Sequence, residues 1–309
     1  MKIKKKYQGV IIPAVVPLTA DFKLDERGVD NMFVNFHRHG VYPFILGTTG
    51  ESASLPFSVK ADYIKLAGKL KRAGDMLYTG IASNCFEESV DLAKISFDSG
   101  TDAVVVNLPS YYALSESDMK KYFEQLADQC PGPVIIYNIP ATTHMSIPLK
   151  LIDELSYHDN IVATKDSERS DDRLKESLNL WAEREDFSYF LGWAARSALA
   201  LLNGSDGVVP STGNLLPGIY SDMFQAALEG NSELAYALQK KSDMFGALYQ
   251  KGRSLGESLW ALKVLMNEKK LCDTHVMPPL QSQSKQDEVL LRQGLHSLMA
   301  QEGLVLKNI

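Results

Sequence analysis

The chain is poor in cysteine. Of its 309 residues only Cys85, Cys130 and Cys272 are cysteines. They are odd in number, far apart and without ligand spacing, which excludes a disulfide framework and a zinc site and suits a reducing, cytoplasmic setting. There is also no basic stripe interleaved with aromatics. Thirty-eight acidic residues against 32 Lys and Arg leave a formal net charge of −6, so nucleic acid is not an expected partner. No uninterrupted apolar run reaches the ~20 residues of a membrane span. No Gly-x-Gly-x-x-Gly follows any strand candidate, which weakens a dinucleotide-binding reading. The histidines do not group: His37 and His39 lie two apart on one helix candidate and point to different faces, and His158, His275 and His296 have no partner at ligand spacing. No metal or cofactor is implied.

What the chain does have is apolar material, 45% of residues, ample for a large core. Lys2, Lys4, Lys5 and Lys6 ahead of Gly9-Val-Ile-Ile-Pro13 mimic a secretory leader, but Pro13 and Pro17 break any helical segment there. A first strand behind a ragged basic end is expected instead. The pattern then alternates between short β-rich runs and helical stretches. Strands are predicted at 9–17, 43–46, 77–81, 103–106, 134–137, 161–165, 189–191 and 207–209. Helices are predicted at 27–39, 58–72, 86–98, 115–129, 148–155, 170–182 and 195–202. The repeat of about 25 residues lacks the leucine-rich consensus and fits βα units. Eight such units predict a (β/α)8 barrel. Beyond Val209 the chain reads as helical at 217–228, 232–248, 255–268 and 287–301, with Gly252 and Gly256 at junctions and Pro278-Pro279 as a stiff linker. We therefore expect a barrel over residues 1–230 and a C-terminal helical extension over 231–309, packed on the barrel.

In such a barrel the chemistry lies just after each strand. Those places hold Gly47-Thr48-Thr49-Gly50-Glu51, Asn107-Leu-Pro-Ser-Tyr111-Tyr112, Tyr137-Asn138-Ile-Pro140, Lys165, Gly192 and Pro210-Ser-Thr-Gly-Asn214. Lys165 is the most telling, because a lysine closing an apolar strand is costly to bury without a task. The task that suits it is Schiff-base formation with a carbonyl substrate. Only about one free lysine in 2,500 is neutral at pH 7, and an apolar barrel mouth would raise that fraction. Tyr137 offers a phenol for proton transfer and Thr48 a hydroxyl to relay it. The Gly-Thr-Thr-Gly turn presents backbone N–H groups and hydroxyls to a carboxylate. Each segment also has a plain structural reading: a capped turn, an aromatic packing pair, a strand end.

Gly-Thr-Thr-Gly-Glu, Tyr-Asn-x-Pro and Lys-Asp, in this order and at these intervals, resemble the dihydrodipicolinate synthase/N-acetylneuraminate lyase superfamily. The likeness runs from Gly9-Val-Ile-Ile-Pro to Pro278-Pro-Leu280. It implies a (β/α)8 lyase or aldolase that joins or cleaves 2-oxo acids, commonly pyruvate, and an aldehyde through a lysine imine. It also implies a homotetramer or homodimer. By resemblance Lys165 forms the imine, Tyr137 is the acid/base, and Thr48 and Thr49 hold the 2-oxo acid carboxylate. Thr48 would link Tyr137 to a tyrosine inserted from a neighbouring subunit, matched by Tyr111 or the adjacent Tyr112. Val209 matches a position whose backbone lines the pocket.

The substrate-reading positions depart from both namesakes. Thr142 stands where the synthase branch carries a carboxylate-gripping arginine, and threonine offers no bidentate charged clamp. Gly192 is followed by Trp193-Ala194-Ala195, where the sialic-acid branch has an acidic pair for sugar hydroxyls. Neither namesake activity is favoured, although either remains an alternative. An aldolase for another 2-oxo acid, such as a 2-keto-3-deoxy sugar acid, is the expectation, with Thr142, Gly192 and His144 as further substrate-contact candidates. Arg196 could reach an anionic tail or pair with a surface carboxylate. A keto-acid binder without turnover, and a dehydratase or decarboxylating relative, are the competing readings.

Overall fold

The computed structural model describes residues 5–303; Lys2, Lys4 and residues 304–309 lie outside them. Eight parallel strands close a barrel in sequential order: β1 (Gly9–Pro13), β2 (Tyr42–Ile45), β3 (Tyr78–Gly80), β4 (Ala103–Asn107), β5 (Val134–Asn138), β6 (Ile161–Asp166), β7 (Ser188–Leu191) and β8 (Gly207–Val208). The helices around it are α1 (Glu26–Arg38), α2 (Phe57–Leu70), α3 (Phe86–Asp98), α4 (Glu116–Gln129), α5 (Pro140–Thr143), α6 (Leu149–Leu155), α7 (Asp171–Trp181), α8 (Ser197–Leu202) and α9 (Pro217–Leu228). Three more follow: α10 (Ser232–Gln250), α11 (Leu255–Glu268) and α12 (Lys285–Gln301). The (β/α)8 expectation is met.

Strand alternation divides the apolar residues into two clusters. Ile11, Phe44, Tyr78, Val105, Ile135, Tyr137, Phe190 and Val209 fill the barrel interior. Ile12, Ile45, Val104, Val106, Ile136 and Val208 face the helices in the larger outer core. The predicted first strand runs too long. It leaves the sheet after Ala14, whose N–H still reaches Phe44 O at 2.9 Å, because Pro13 and Pro17 have no N–H to give a ladder.

The N-terminus is also better anchored than a ragged basic end. Lys5 is buried, with Nζ 2.8 Å from an Asp206 carboxylate oxygen and donating to Trp181 O and Phe187 O, both at 2.9 Å. At the other end, Ser254 and Glu257 form a capping box that starts α11, the kind of cap worth about 1 kcal/mol. Gly252 (φ +73°) makes the α10–α11 turn. Gly256 is not at a junction: it lies in the first turn of α11, where a Cβ would come within 2.8 Å of Leu280. Among the described residues no helix is long and apolar enough to cross a membrane.

Candidate active site

A one-residue irregularity decides which way Lys165 points. Val134 pairs with Ile161 but Ile135 pairs with Ala163, so β6 holds an extra residue, Val162, at its start. Such a bulge re-aims everything after it. Tyr137 thereby lies opposite Lys165, and both face the barrel interior; without the insertion Thr164 would take that place. Lys165 is 5% exposed. Its ammonium lies 3.7 Å from the Tyr137 ring centroid and 5.0 Å from that of Phe44. Burial lowers its pKa below the ordinary 10.5, outweighing the Tyr137 phenol, which favours the charged form. A buried amine eased toward its neutral form can attack a carbonyl.

Around it the interior is tightly drawn. Ser167 Oγ donates a long hydrogen bond, 3.5 Å, to Tyr137 Oη. A Cβ on Gly192 would stand 2.0 Å from Ser167 Oγ and 3.2 Å from Lys165 Cε, so no larger residue fits beside the lysine stem. Val209, buried just past β8, donates its N–H to Leu191 O at 2.8 Å. Sequence reasoning passed over Ser167; its place two residues beyond Lys165 was the available signal.

The residues that follow Tyr137 and Lys165 point the other way and bind the strand ends together. Asp166 Oδ2 accepts from Arg173 Nε at 2.7 Å and from Asn138 Nδ2 at 3.0 Å. Asn138 Nδ2 also donates to Glu168 Oε2 at 3.0 Å, which Ser146 Oγ approaches to 2.6 Å. Asn138 Oδ1 accepts from Ile147 N at 3.0 Å and Arg173 Nη2 donates to Ile147 O at 2.8 Å. Burial works to raise the Glu168 pKa, but its hydrogen bonds to Ser146 and Asn138, with Arg173 nearby, hold it below the usual carboxylate value.

The β2–α2 turn carries Thr48 and Thr49 between two non-glycine residues of positive φ, Leu46 and Glu51, both at 57°. It can approach β3 because position 80 is glycine: a Cβ there would stand 2.1 Å from Leu46 O. Gly50 N donates to Gly47 O at 3.0 Å and Glu51 N to Thr48 O at 3.1 Å. Thr49 is buried, while half-buried Thr48 lines a cavity of about 550 Å³ together with Ser83, Asn84, Asn107, Ser110 and Thr142. Glu51 borders the same cavity, and its Oε1 lies 2.5 Å from Lys263 Nζ of α11, both side chains fully buried. Glu51 Oε2 accepts from Met277 N at 2.6 Å, and Lys263 Nζ donates to His275 O at 2.6 Å. Nothing in the apolar run 255–268 flagged this lysine.

The remaining candidates lie further out. Tyr111 is 78% exposed and meets Tyr112 edge-to-face at 4.9 Å, while the Ser110 and Tyr111 amides donate to Asn84 Oδ1 at 2.9 and 3.3 Å. His144 is exposed and ends the α5 turn at φ +59°. Arg196 is taken by a carboxylate: Nε and Nη2 lie 2.7 and 3.0 Å from the two Asp171 oxygens, and the guanidinium stands 4.8 Å from the Trp193 ring centroid. The structure thus gathers Lys165, Tyr137, Gly192 and Val209 in one chamber and Thr48 and Thr142 on one cavity wall, with Tyr111 and His144 at the surface. Among the described residues no group of three or more His, Cys, Asp or Glu could hold a metal ion.

Known proteins resemble this one along nearly the whole chain. The model of the dihydrodipicolinate synthetase family matches residues 6–297. A 4-hydroxy-tetrahydrodipicolinate synthase of Alkalilimnicola ehrlichii is 26% identical over 94% of this chain and 98% of its own. The solved dihydrodipicolinate synthase of Bacteroides thetaiotaomicron superposes with a TM-score of 0.90 at 27% identity, covering 95% of this chain and 99% of that one. YagE, a prophage protein of E. coli K12 belonging to the dihydrodipicolinic acid synthase family and solved in complex with pyruvate, superposes with a TM-score of 0.89 at 25% identity, covering 95% and 99%.

Proposed function

The chain belongs to the dihydrodipicolinate synthetase family, and from that premise we propose that it is a lyase of the aldolase type that joins or cleaves a 2-oxo acid and an aldehyde through an imine on Lys165. The observation that carries this reading is Lys165 itself, buried, eased toward its neutral form and set against the Tyr137 ring. Its neutral amine adds to the C2 carbonyl, and loss of water leaves a protonated imine. That cation draws electrons from C3, so loss of a C3 proton gives an enamine. The enamine carbon then bonds to the aldehyde carbon, and water releases the product from Lys165. Cleavage runs the same steps backwards.

Tyr137 is the acid and base that moves protons on and off the carbinolamine oxygen. Thr48 relays them, and the Thr48–Thr49 turn receives the carboxylate. Pyruvate is the first 2-oxo acid to test, since the YagE structure holds it. No metal or cofactor enters, because the imine itself serves as the electron sink. The aldehyde partner meets a wall without an unpaired cation: Thr142 is neutral and Lys60 is held by Glu88 at 3.0 Å, while Arg196, outside this cavity, is held by Asp171. That favours a neutral polar aldehyde, as released from a 2-keto-3-deoxy sugar acid, over an anionic one. We place the reaction in the cytoplasm, in a homodimer or homotetramer whose neighbouring subunit inserts Tyr111.

The test is borohydride reduction with pyruvate followed by peptide mass spectrometry. A reduced pyruvate adduct on Lys165, absent without borohydride, is expected. No adduct with pyruvate or longer 2-oxo acids would overturn the imine mechanism in favour of a binder without turnover.

A further inference from the structure

We propose that the buried Glu51–Lys263 pair is a positioning device that sets the Thr48–Thr49 turn for the substrate carboxylate and so makes α11 a working part of the active site. This rests on the reading above that the turn receives that carboxylate. The chain of contact is short. Glu51 N donates to Thr48 O at 3.1 Å, closing the turn, while the Glu51 side chain reaches Lys263. Glu51 holds a positive φ of 57° although it is not glycine. A residue other than glycine stays in that region only where its surroundings hold it. Here the holding groups are Lys263 Nζ at 2.5 Å and Met277 N at 2.6 Å, both from the C-terminal region.

Three further features bear on the turn. Replacing a fully buried pair of charges by well-packed apolar residues is often neutral or stabilising, so stability alone is a poor account of this pair. Lys263 also donates to His275 O at 2.6 Å, so one ammonium joins α11, the chain leading to Met277 and the turn. The N-terminal end of α11 lies near as well: Leu255, Gly256 and Leu259 line the same cavity as Thr48.

The two-sided test uses pyruvate and acetone as probes, both able to form an imine but only pyruvate bearing a carboxylate. The concentration giving half-maximal borohydride trapping on Lys165 is measured for wild type, Lys263→Met, and the uncharged double variant Glu51→Gln/Lys263→Met. The double variant leaves no buried charge unpaired and supplies the measurement if the single variant does not fold. The expected result is a rise for pyruvate of roughly tenfold or more, the scale of loss from a sub-ångström to ångström misplacement, with acetone changed less than about twofold. Equal shifts for both ketones would mean the pair is structural only, and no shift for either would mean the turn does not depend on it; each overturns the proposal while leaving the imine reading intact. If wild type traps neither ketone, the imine reading fails and the proposal falls with it.

Discussion

Tyr137 and Lys165 occupy the same register position in neighbouring strands, and the lysine ammonium lies 3.7 Å from the centroid of the tyrosine ring. Burial holds the folded-state pKa of Lys165 below 10.5. Between that lowered value and 10.5 the unfolded chain binds more protons than the folded one, so stability rises with pH across this window. Below the window the cost of keeping Lys165 in place is fully felt. Lys165→Met is therefore expected to lose all pyruvate trapping and yet gain roughly 0.5–2 kcal/mol of stability, most at the acidic side. Urea denaturation of both proteins at an acidic and an alkaline pH checks this. A variant that is less stable at every pH would count against burial as the dominant influence on Lys165.

Gly192 has a different dependence on its neighbours. Adding one methyl would place a carbon 2.0 Å from Ser167 Oγ and 3.2 Å from Lys165 Cε. Ser167 must move, and with it the contact to Tyr137 Oη. Gly192→Ala is expected to slow imine formation with pyruvate by about a hundredfold, the scale set by ångström misplacement of reacting groups, with far-ultraviolet circular dichroism unchanged. Trapping kinetics provide the check, and a wild-type rate would mean the chamber is looser than its contacts imply.

These two residues also mark how far the chain could be read without coordinates. Lys165 stood out because a charge at the end of an apolar strand needs a reason, and helices such as α3, α9 and α11 were legible at both ends from their apolar spacing. The direction Lys165 faces was not legible, since 161–164 is apolar or β-branched throughout and a bulge leaves no mark in such a run. Asn138 and Asp166 were visible only as the second letters of two motifs. Their role emerged when alternation turned them outward to meet Arg173. Lys263 was invisible as a partner of Glu51, because periodicity reports neighbours along a helix and not a contact between distant segments. Lys5 was misread for the same reason: its acceptors belong to α7, the chain just before β7, and Asp206.

The Asp166–Arg173 pair is expected to act on stability. Asp166 is 2% exposed and Arg173 has little freedom, its Nε on Asp166 and its Nη2 on Ile147 O. Arg173→Met removes the counter-charge and leaves a buried carboxylate facing only Asn138 Nδ2 and the Glu168 amide. Removing one partner of such a pair costs about 3–5 kcal/mol. Equilibrium urea denaturation should register a loss of that order. Arg173→Lys should recover part of it, since an ammonium restores the charge but not the two-pronged geometry. A loss below about 1 kcal/mol would place the pair among ordinary surface bridges.

Tyr111 poses the question that one chain cannot answer by itself. It is 78% exposed, stacked edge-on against an equally open Tyr112, and anchored through its amide to Asn84 Oδ1. Two large aromatic rings held out from the surface by an ordered backbone suit insertion into a second copy, where their faces would be covered. If Tyr111 completes the proton path of its neighbour, a Tyr111→Phe chain impairs its partner's site and a Lys165→Met chain its own, so in a mixed dimer both changes fall on the same site. Each variant alone should form the pyruvate imine slowly or not at all. Co-expressed, they should assemble at random, half of the dimers should be mixed, and one of the two sites in each should hold both Lys165 and an inserted Tyr111. Rapid trapping should then return to about one quarter of the wild-type level, as two-fold symmetry requires. Mixed dimers that are present by native mass spectrometry but trap no faster than the single variants would show that Tyr111 serves its own chain or packing alone.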